Sequence, residues 1–254
     1  MNVVVCAKYV PEPEGTPKLG PDNLLVREGV NGALDAGDEV GVELALQLVE
    51  AQGGEVIVVS MGPDDAATAV QRALAMGAHR GVLVTDPRLR GADALVTAKV
   101  LAAAIAKQPH DLVVAGVESA DGYTGTMPAA MAELLGLPSV TIARKVELDA
   151  NGVRVERQTE AGYDVLSCPL PAVVTLTLGA NEPRYPSLKG IMQAKQKPVE
   201  RLSLDDLGLG DDDVASTQRV TGAEDAPPKP GGEIVEGDDG VAKIADLLTE
   251  AKVI

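Results

Sequence analysis

The sequence predicts an α/β fold: a doubly wound, mostly parallel sheet with a small antiparallel addition and a C-terminal arm. Three observations predict it. Short, continuously apolar runs recur through the first half, as expected of strands buried on both faces of a parallel sheet. Amphipathic helical periodicities fill the intervals between them, giving strand and helix in alternation to about residue 136. Beyond that point the pattern changes to short alternating segments around an Asn-Gly turn, and after Leu202 to an acidic tail rich in Pro and Gly.

Asn2 to Ala7 (NVVVCA) is the first buried strand, with Lys8 at its end. Pro11 to Pro21 reads as an irregular excursion and Asn23 to Arg27 as a short edge strand. Asp35 or Asp38 is suited to N-cap a helix whose apolar face carries Val40, Val42, Leu44, Ala45 and Leu48, stopped by Gly53-Gly54. Glu55 to Ser60 is the second strand, ending in Met61-Gly62-Pro63, and Asp64 to Met76 the next helix. Gly81 to Thr85 is the third strand, followed by a helix over Asp93 to Lys107. Leu112 to Ala115 is the fourth strand, and Pro128, Met131, Leu134 and Leu135 define the helix after it, ended by Gly136 and Pro138.

Ser139 to Ile142, Lys145 to Leu148, Val153 to Arg157, Tyr163 to Cys168 and Ala172 to Leu178 then read as a mostly antiparallel group, with a hairpin at Asp149-Ala150-Asn151-Gly152. Ser187 is suited to N-cap a basic helix running to Lys197. The domain boundaries expected from these shifts are 1–200 for the α/β unit and 201–254 for the arm. Val241 to Val253 is one amphipathic helix, too short to stand alone; it must pack back on the domain or onto another subunit, and a partner chain is the favoured reading.

Composition narrows the function. The chain has 254 residues, 45% of them hydrophobic, no Trp or Phe, and a net charge of −16. An acidic chain without aromatic stacking platforms is not built to bind nucleic acid. Residues 202–254 carry 13 acidic against 4 basic side chains, more than half of that charge. The start MNVVVCAKYV has no basic leader pattern, and no apolar run is long enough to span a bilayer, so a cytoplasmic protein without direct membrane insertion is expected. Cys6 and Cys168 are isolated in apolar surroundings and read as core thiols, not as a metal site or disulfide. The two histidines, His79 and His110, have no Cys or Asp at ligand or triad spacing. No catalytic constellation is visible, so a non-enzymatic role is expected.

The candidate binding feature is the strand, small-residue loop and helix start from Asp111 to Pro138. Gly116 turns the chain out of the strand, and Val117, Glu118, Ser119, Ala120, Asp121, Gly122, Tyr123, Thr124, Gly125, Thr126 and Met127 lead to the helix. Such a turn gathers backbone N–H groups around an anion, usually a phosphate. Its Gly spacing matches neither the dinucleotide nor the P-loop pattern, and an ordinary βα turn satisfies it as well. In a doubly wound sheet the loops Cys6 to Tyr9, Asp35 to Asp38, Met61 to Pro63 and Gly116 to Met127 share one edge, where a ligand crevice follows from topology. Lys8 could reach an anion there or be a solvated strand-end lysine. The second feature is Gly179 to Leu202, where Lys189, Lys195 and Lys197 surround Leu188, Ile191 and Met192. It reads either as a docking surface or as a connecting helix with solvated lysines.

These segments together resemble the small (beta) subunit of electron transfer flavoprotein. The carrying residues are NEPRYPSLKGIMQAKQK, Asn181 to Lys197, supported by ALAMGAHR at Ala73 to Arg80, SMGP at Ser60 to Pro63, and AELLGLP ending at Pro138. The resemblance covers nearly the whole chain. It implies a Rossmann-like, adenine-nucleotide-binding fold, and a subunit that pairs with a larger alpha subunit holding the redox-active FAD. The beta subunit's own nucleotide is a structural AMP. On this chain its contacts would be Cys6, Asp35, Ala36, Gly37, Asp38, Met61 and the loop Gly116 to Met127. The resemblance further implies that residues 184–197 dock on acyl-CoA dehydrogenases and similar donors through Arg184, Tyr185, Leu188, Ile191, Met192 and Lys195. Electrons would pass on to a quinone-linked acceptor.

Two departures bear on the nucleotide. The family often has Asn-Pro where this chain has Asp35-Ala36. The run Asp121-Gly-Tyr-Thr-Gly-Thr-Met-Pro128 replaces the Asp-Thr/Asn-x-Gln-Val-Gly of many members. Two other readings stay open: a flavin-bifurcating subunit with a second FAD in place of AMP, and a stand-alone ATP- or AMP-binding α/β module.

Overall fold

The computed structural model describes residues 1–12, 18–27, 29–224, 226–228, 231–232, 234–235 and 237–254. Parts of the excursion expected over 11–21 and of the Pro/Gly stretch 226–232 lie outside them. In chain order the first unit contains β1 (Asn2–Cys6), β2 (Tyr9–Pro11), β3 (Gly32–Leu34), α1 (Ala36–Gln52), β4 (Glu55–Met61), α2 (Ala67–Met76), β5 (Arg80–Val84), α3 (Ala94–Ala106), β6 (Leu112–Gly116) and α4 (Met127–Leu135). It continues with β7 (Ser139–Asp149), β8 (Gly152–Thr159), β9 (Gly162–Cys168), β10 (Ala172–Leu176), α5 (Leu188–Ala194), β11 (Val199–Leu202) and α6 (Leu204–Leu207). The last helix, α7 (Asp238–Glu250), belongs to a second unit.

Nine strands form one sheet in the order β11-β5-β4-β1-β6-β10-β7-β8-β9. Every pairing from β11 to β7 is parallel, and the β7-β8-β9 meander is antiparallel. The central strands are apolar throughout because both faces are covered. Val3, Val5, Val56 and Val58 pack with residues of α1 and α2, while Val4, Ile57, Val59 and Val113 pack with residues of α3 and α4. The chain winds outward from β1 through β4 to β5, then returns across the opposite face to β6 on the other side of β1. The switch in winding direction therefore falls between β1 and β6. There α1 lies close to the sheet through Gly41, where a Cβ would sit 3.2 Å from Val114 and 3.3 Å from Val5.

The doubly wound α/β class is as expected, and several elements differ in placement. The run expected to complete the antiparallel group, Ala172 onward, is instead β10, parallel to both β6 and β7. All five of its residues are buried, which a half-exposed antiparallel strand does not require. Ser139–Ile142 and Lys145–Leu148 merge into the single strand β7, whose pairing with β10 shifts register across Ile142, a residue at φ 61°. Asn23–Arg27 forms no strand but one antiparallel bridge, Leu19 to Leu25. The β2-β3 hairpin has no counterpart among the expected elements. The basic helix N-capped by Ser187 ends at Ala194, before Lys197.

The first compact unit runs to Val220 and the second spans Thr221–Ile254. Residues 201–220, grouped with the arm by composition, belong to the first unit. Leu202, Leu204 and Val214 are buried in the α3–α4 core, and Arg88 forms ion pairs with Asp205 and Asp211. In the second unit α7 leaves Val241, Ile244, Leu247 and Leu248 exposed. No helix among the described residues is long and apolar enough to cross a membrane.

Candidate functional site: a switch-point crevice and an exposed apolar helix

Two carboxylates fix the crevice between β1 and β6. Asp35 caps α1 by accepting the Gly37 N–H at 2.9 Å through Oδ1, and its Oδ2 accepts the Ala120 N–H at 2.7 Å. Asp38, one turn on, accepts the Lys8 N–H at 2.7 Å and the Gly116 N–H at 3.3 Å. It therefore ties the end of β1 to the end of β6. Both carboxylates are buried. Burial pushes the Asp38 carboxyl up to about 7, the negative charge of Asp35 adds to this, and the two N–H bonds and Lys8 oppose it.

Above them Lys8 Nζ donates to Ser119 Oγ at 3.0 Å and Asp121 Oδ1 at 2.6 Å. Arg27 holds the other Asp121 oxygen. Burial opposes ionisation of Asp121, but the Lys8 and Arg27 charges outweigh it and draw the carboxyl down to about 2. Arg27 was not among the expected site residues; Lys8 was expected either to reach an anion at this edge or to be solvated, and it is tied to Ser119 and Asp121. Lys8 was legible as a strand-end lysine, whereas Arg27 arrives from a segment whose sequence carries no signal for it.

The loop beyond Asp121 is open. Tyr123 and Gly125 take positive φ, 46° and 62°, the left-handed backbone from which amide nests are built. The amides of Thr124, Gly125 and Thr126 find no acceptor among the described residues, and α4 starts without a side-chain cap, with Pro128 in its first turn. At Gly122 a Cβ would come within 3.3 Å of Ser119 Oγ and 3.7 Å of Lys8 Nζ, so the loop's small residues keep the lysine uncovered. Unpaired amides, an uncapped helix start and a nearby lysine fit an anionic phosphate. Ala36 and Gly37 lie at the start of α1, and Met61 at the end of β4, half-buried on the same edge. Val117 is likewise half-buried and Glu118 exposed. Cys6 turns its thiol away, 3.8 Å from Met131 Sδ, and burial first, then Asp38, pushes it up to about 12. It offers the crevice only backbone.

The histidines have local partners. His79 Nδ1 accepts the Val56 N–H at 3.0 Å, and His110 Nδ1 lies 2.9 Å from Gln108 O.

The second region is α5 and the turn before it. Tyr185 is 90% exposed, Leu188 83% and Met192 72%, with Ile191 also exposed. Lys189 and Lys195 are exposed beside them. Arg184 differs from the rest of the expected docking set. Its guanidinium and backbone N–H are bound to Glu43, and the guanidinium also to Glu50, both on α1. Burial pushes the Glu43 carboxyl up, yet the bonds from Arg184 hold it below the usual carboxylate range. Glu43 and Glu50 stand two helical turns apart on one face, but no sequence signal connects them to Arg184.

Fold and surface thus define a doubly wound α/β protein with an amide-lined crevice at its switch point and an apolar helix held out to solvent. The electron transfer flavoprotein domain matches residues 22–207. The electron transfer flavoprotein beta subunit of Mycobacterium tuberculosis is 38% identical over 264 aligned residues, covering 100% of this chain and 99% of that one. The beta subunit of Thermoanaerobacterium thermosaccharolyticum is 36% identical over 261 residues, with full coverage of both. The caffeyl-CoA reductase-Etf complex subunit CarD of Acetobacterium woodii is 37% identical over 245 residues, covering 93% and 92%. The chain belongs to the electron transfer flavoprotein family, on its beta-subunit side, a family of electron carriers that work with an alpha subunit.

Proposed function

We propose that this chain is the AMP-holding half of a cytoplasmic electron transfer flavoprotein heterodimer that takes electrons from acyl-CoA dehydrogenases and similar flavoenzymes and passes them to a quinone-linked acceptor. The observation that carries this reading is the set of unpaired amides at Thr124, Gly125 and Thr126 before the uncapped start of α4. In this reading the phosphate of AMP lies against those amides and the α4 N-terminus, with Lys8 at its side, and Asp35, Asp38 and Asp121 hold the loop. The FAD, kept mainly by the alpha subunit, supplies one- and two-electron storage. Nothing in this chain's crevice needs to change protonation for that chemistry, which accords with a structural nucleotide. Tyr185, Leu188, Ile191 and Met192 form the contact with the donor, ringed by Lys189 and Lys195. An apolar anchor within a charged rim suits a small interface that forms and releases quickly. The arm with α7 packs its apolar side on the alpha subunit.

Denaturing the purified heterodimer and quantifying released nucleotides tests the reading. One FAD and one AMP per heterodimer are expected. Two FAD and no AMP would make the crevice a second flavin site, and an adenylate-free preparation would remove the nucleotide assignment.

A further inference from the structure

Two of the most basic-looking positions in the docking segment face inward. Arg184 fastens its entry. Its backbone N–H and Nε both reach Glu43 Oε2, at 3.1 and 2.8 Å, and Nη2 bridges Glu43 Oε1 and Glu50 Oε2, each at 3.1 Å. One residue group earlier, Asn181 Nδ2 donates to Val40 O at 3.0 Å, so the entry is laid along one face of α1. Lys197 fastens the exit. Its Nζ donates to Leu74 O at 2.9 Å, in the last turn of α2, and to Ala78 O at 2.6 Å, just beyond it. Between these two fixed points α5 lies flush on α2 through Gly190, where a Cβ would overlap the Ala75 carbonyl oxygen.

We infer that Arg184 and Lys197 are positioning residues: they hold the segment in the shape that presents Leu188 and Met192, and neither touches the electron donor. The inference rests on the reading of this segment as the docking surface. Arg184 is the sharper case, because its positive charge already faces two carboxylates and its planar fork, not its charge, sets the backbone. A lysine in its place keeps the charge and loses the fork. A donor binding only the ordered form of the segment then sees its apparent affinity fall by the fraction of time that form is lost.

The test uses the flavin-loaded heterodimer and an acyl-CoA dehydrogenase reduced by its acyl-CoA substrate, followed by flavin absorbance in rapid mixing. Arg184→Lys should raise the half-saturating dehydrogenase concentration about tenfold, as expected if the competent form drops to roughly a tenth, and leave the limiting transfer rate unchanged. Arg184→Lys, which keeps the charge, should leave the ionic-strength dependence of the rate as in the parent, whereas Lys189→Gln should weaken it. Hydrogen exchange of the α5 amides should quicken in Arg184→Lys. Glu50→Gln, at a more exposed position, should give the same split to a smaller degree and covers the case in which Arg184→Lys fails to fold. Parent-like half-saturation in both Arg184→Lys and Glu50→Gln, with a raised value in Leu188→Ala, overturns the positioning role and keeps the docking reading. An unchanged Leu188→Ala removes the docking reading itself.

Discussion

The crevice and the docking segment use charged residues in the same way and recognition groups in opposite ways. In both, a framing set of charges is engaged within the chain: Asp35, Asp38, Lys8, Arg27 and Asp121 in the first, Arg184, Glu43, Glu50 and Lys197 in the second. What remains open to another molecule is backbone N–H in the crevice and, on α5, an apolar surface rimmed by Lys189 and Lys195. A fixed anion is best met by preset amides, which need no side-chain ordering. A transient protein contact is best met by a desolvating anchor, which gains affinity without a strong directional bond that would slow release. The difference teaches that ionic groups here build the frame, and that the frame is what gives each surface its shape.

The largest effect expected from breaking this frame is at Asp35. Asp35→Ala removes the α1 cap and leaves the Ala120 and Gly37 amides without their acceptor, a cost of about 3 kcal/mol from a lost cap and unpaired buried donors. Urea denaturation measures it, and the same variant should lose AMP on gel filtration. Should stability stay at the parent value, the crevice is not framed by its carboxylates. Leu188→Ala is the counterpart on the other surface. It should leave stability within about 0.5 kcal/mol, since the side chain is exposed, yet weaken donor engagement by about 2 kcal/mol, roughly thirtyfold, as for an interface anchor. Equal effects on both measures would erase the contrast between frame and contact.

A third difference concerns pH. The Asp38 carboxyl is raised from 3.8 to about 7, so between those values the folded chain keeps a proton that the unfolded chain has released. Stability should therefore be greatest at the acid side of this window, decline as pH rises through it, and level off above pH 7. The expected decline across the whole window is about 4 kcal/mol, at about 1.4 kcal/mol per pH unit. Urea midpoints at pH 5 and pH 8 read it, and Asp38→Asn should flatten the difference. A parent midpoint that rises with pH instead would reverse the assignment. The smallest effect belongs to Lys189→Gln on the docking rim, with a roughly twofold slower encounter at low salt and none at high salt, where exposed charges are screened.

Much of the site was legible along the chain, and the failures share a cause. Gly116, the small-residue loop and Pro128 marked the strand-to-helix turn, and the cap was narrowed to Asp35 or Asp38, because these signals are local. The run Ala172–Leu176 was legible as a strand, yet its neighbours were not. The pairing that places it between β6 and β7 depends on the crossover connections and on the burial of all five residues. Arg184 entered the docking set through the family resemblance, which carries over the whole segment 184–197 without telling its contacts apart. Its partners on α1 lie 141 and 134 positions away, and residue type does not tell whether a charge is already paired.

The sequence by itself determined the α/β class, the order of the main strands and helices, the switch-point loop and the apolar character of α5. Periodicity and turn chemistry encode burial and backbone direction within a few residues of one another. Tertiary structure alone decided which charges neutralise each other, which amides stay unpaired, and which way each side of the docking segment faces. Those outcomes follow from distances between segments that only folding brings together.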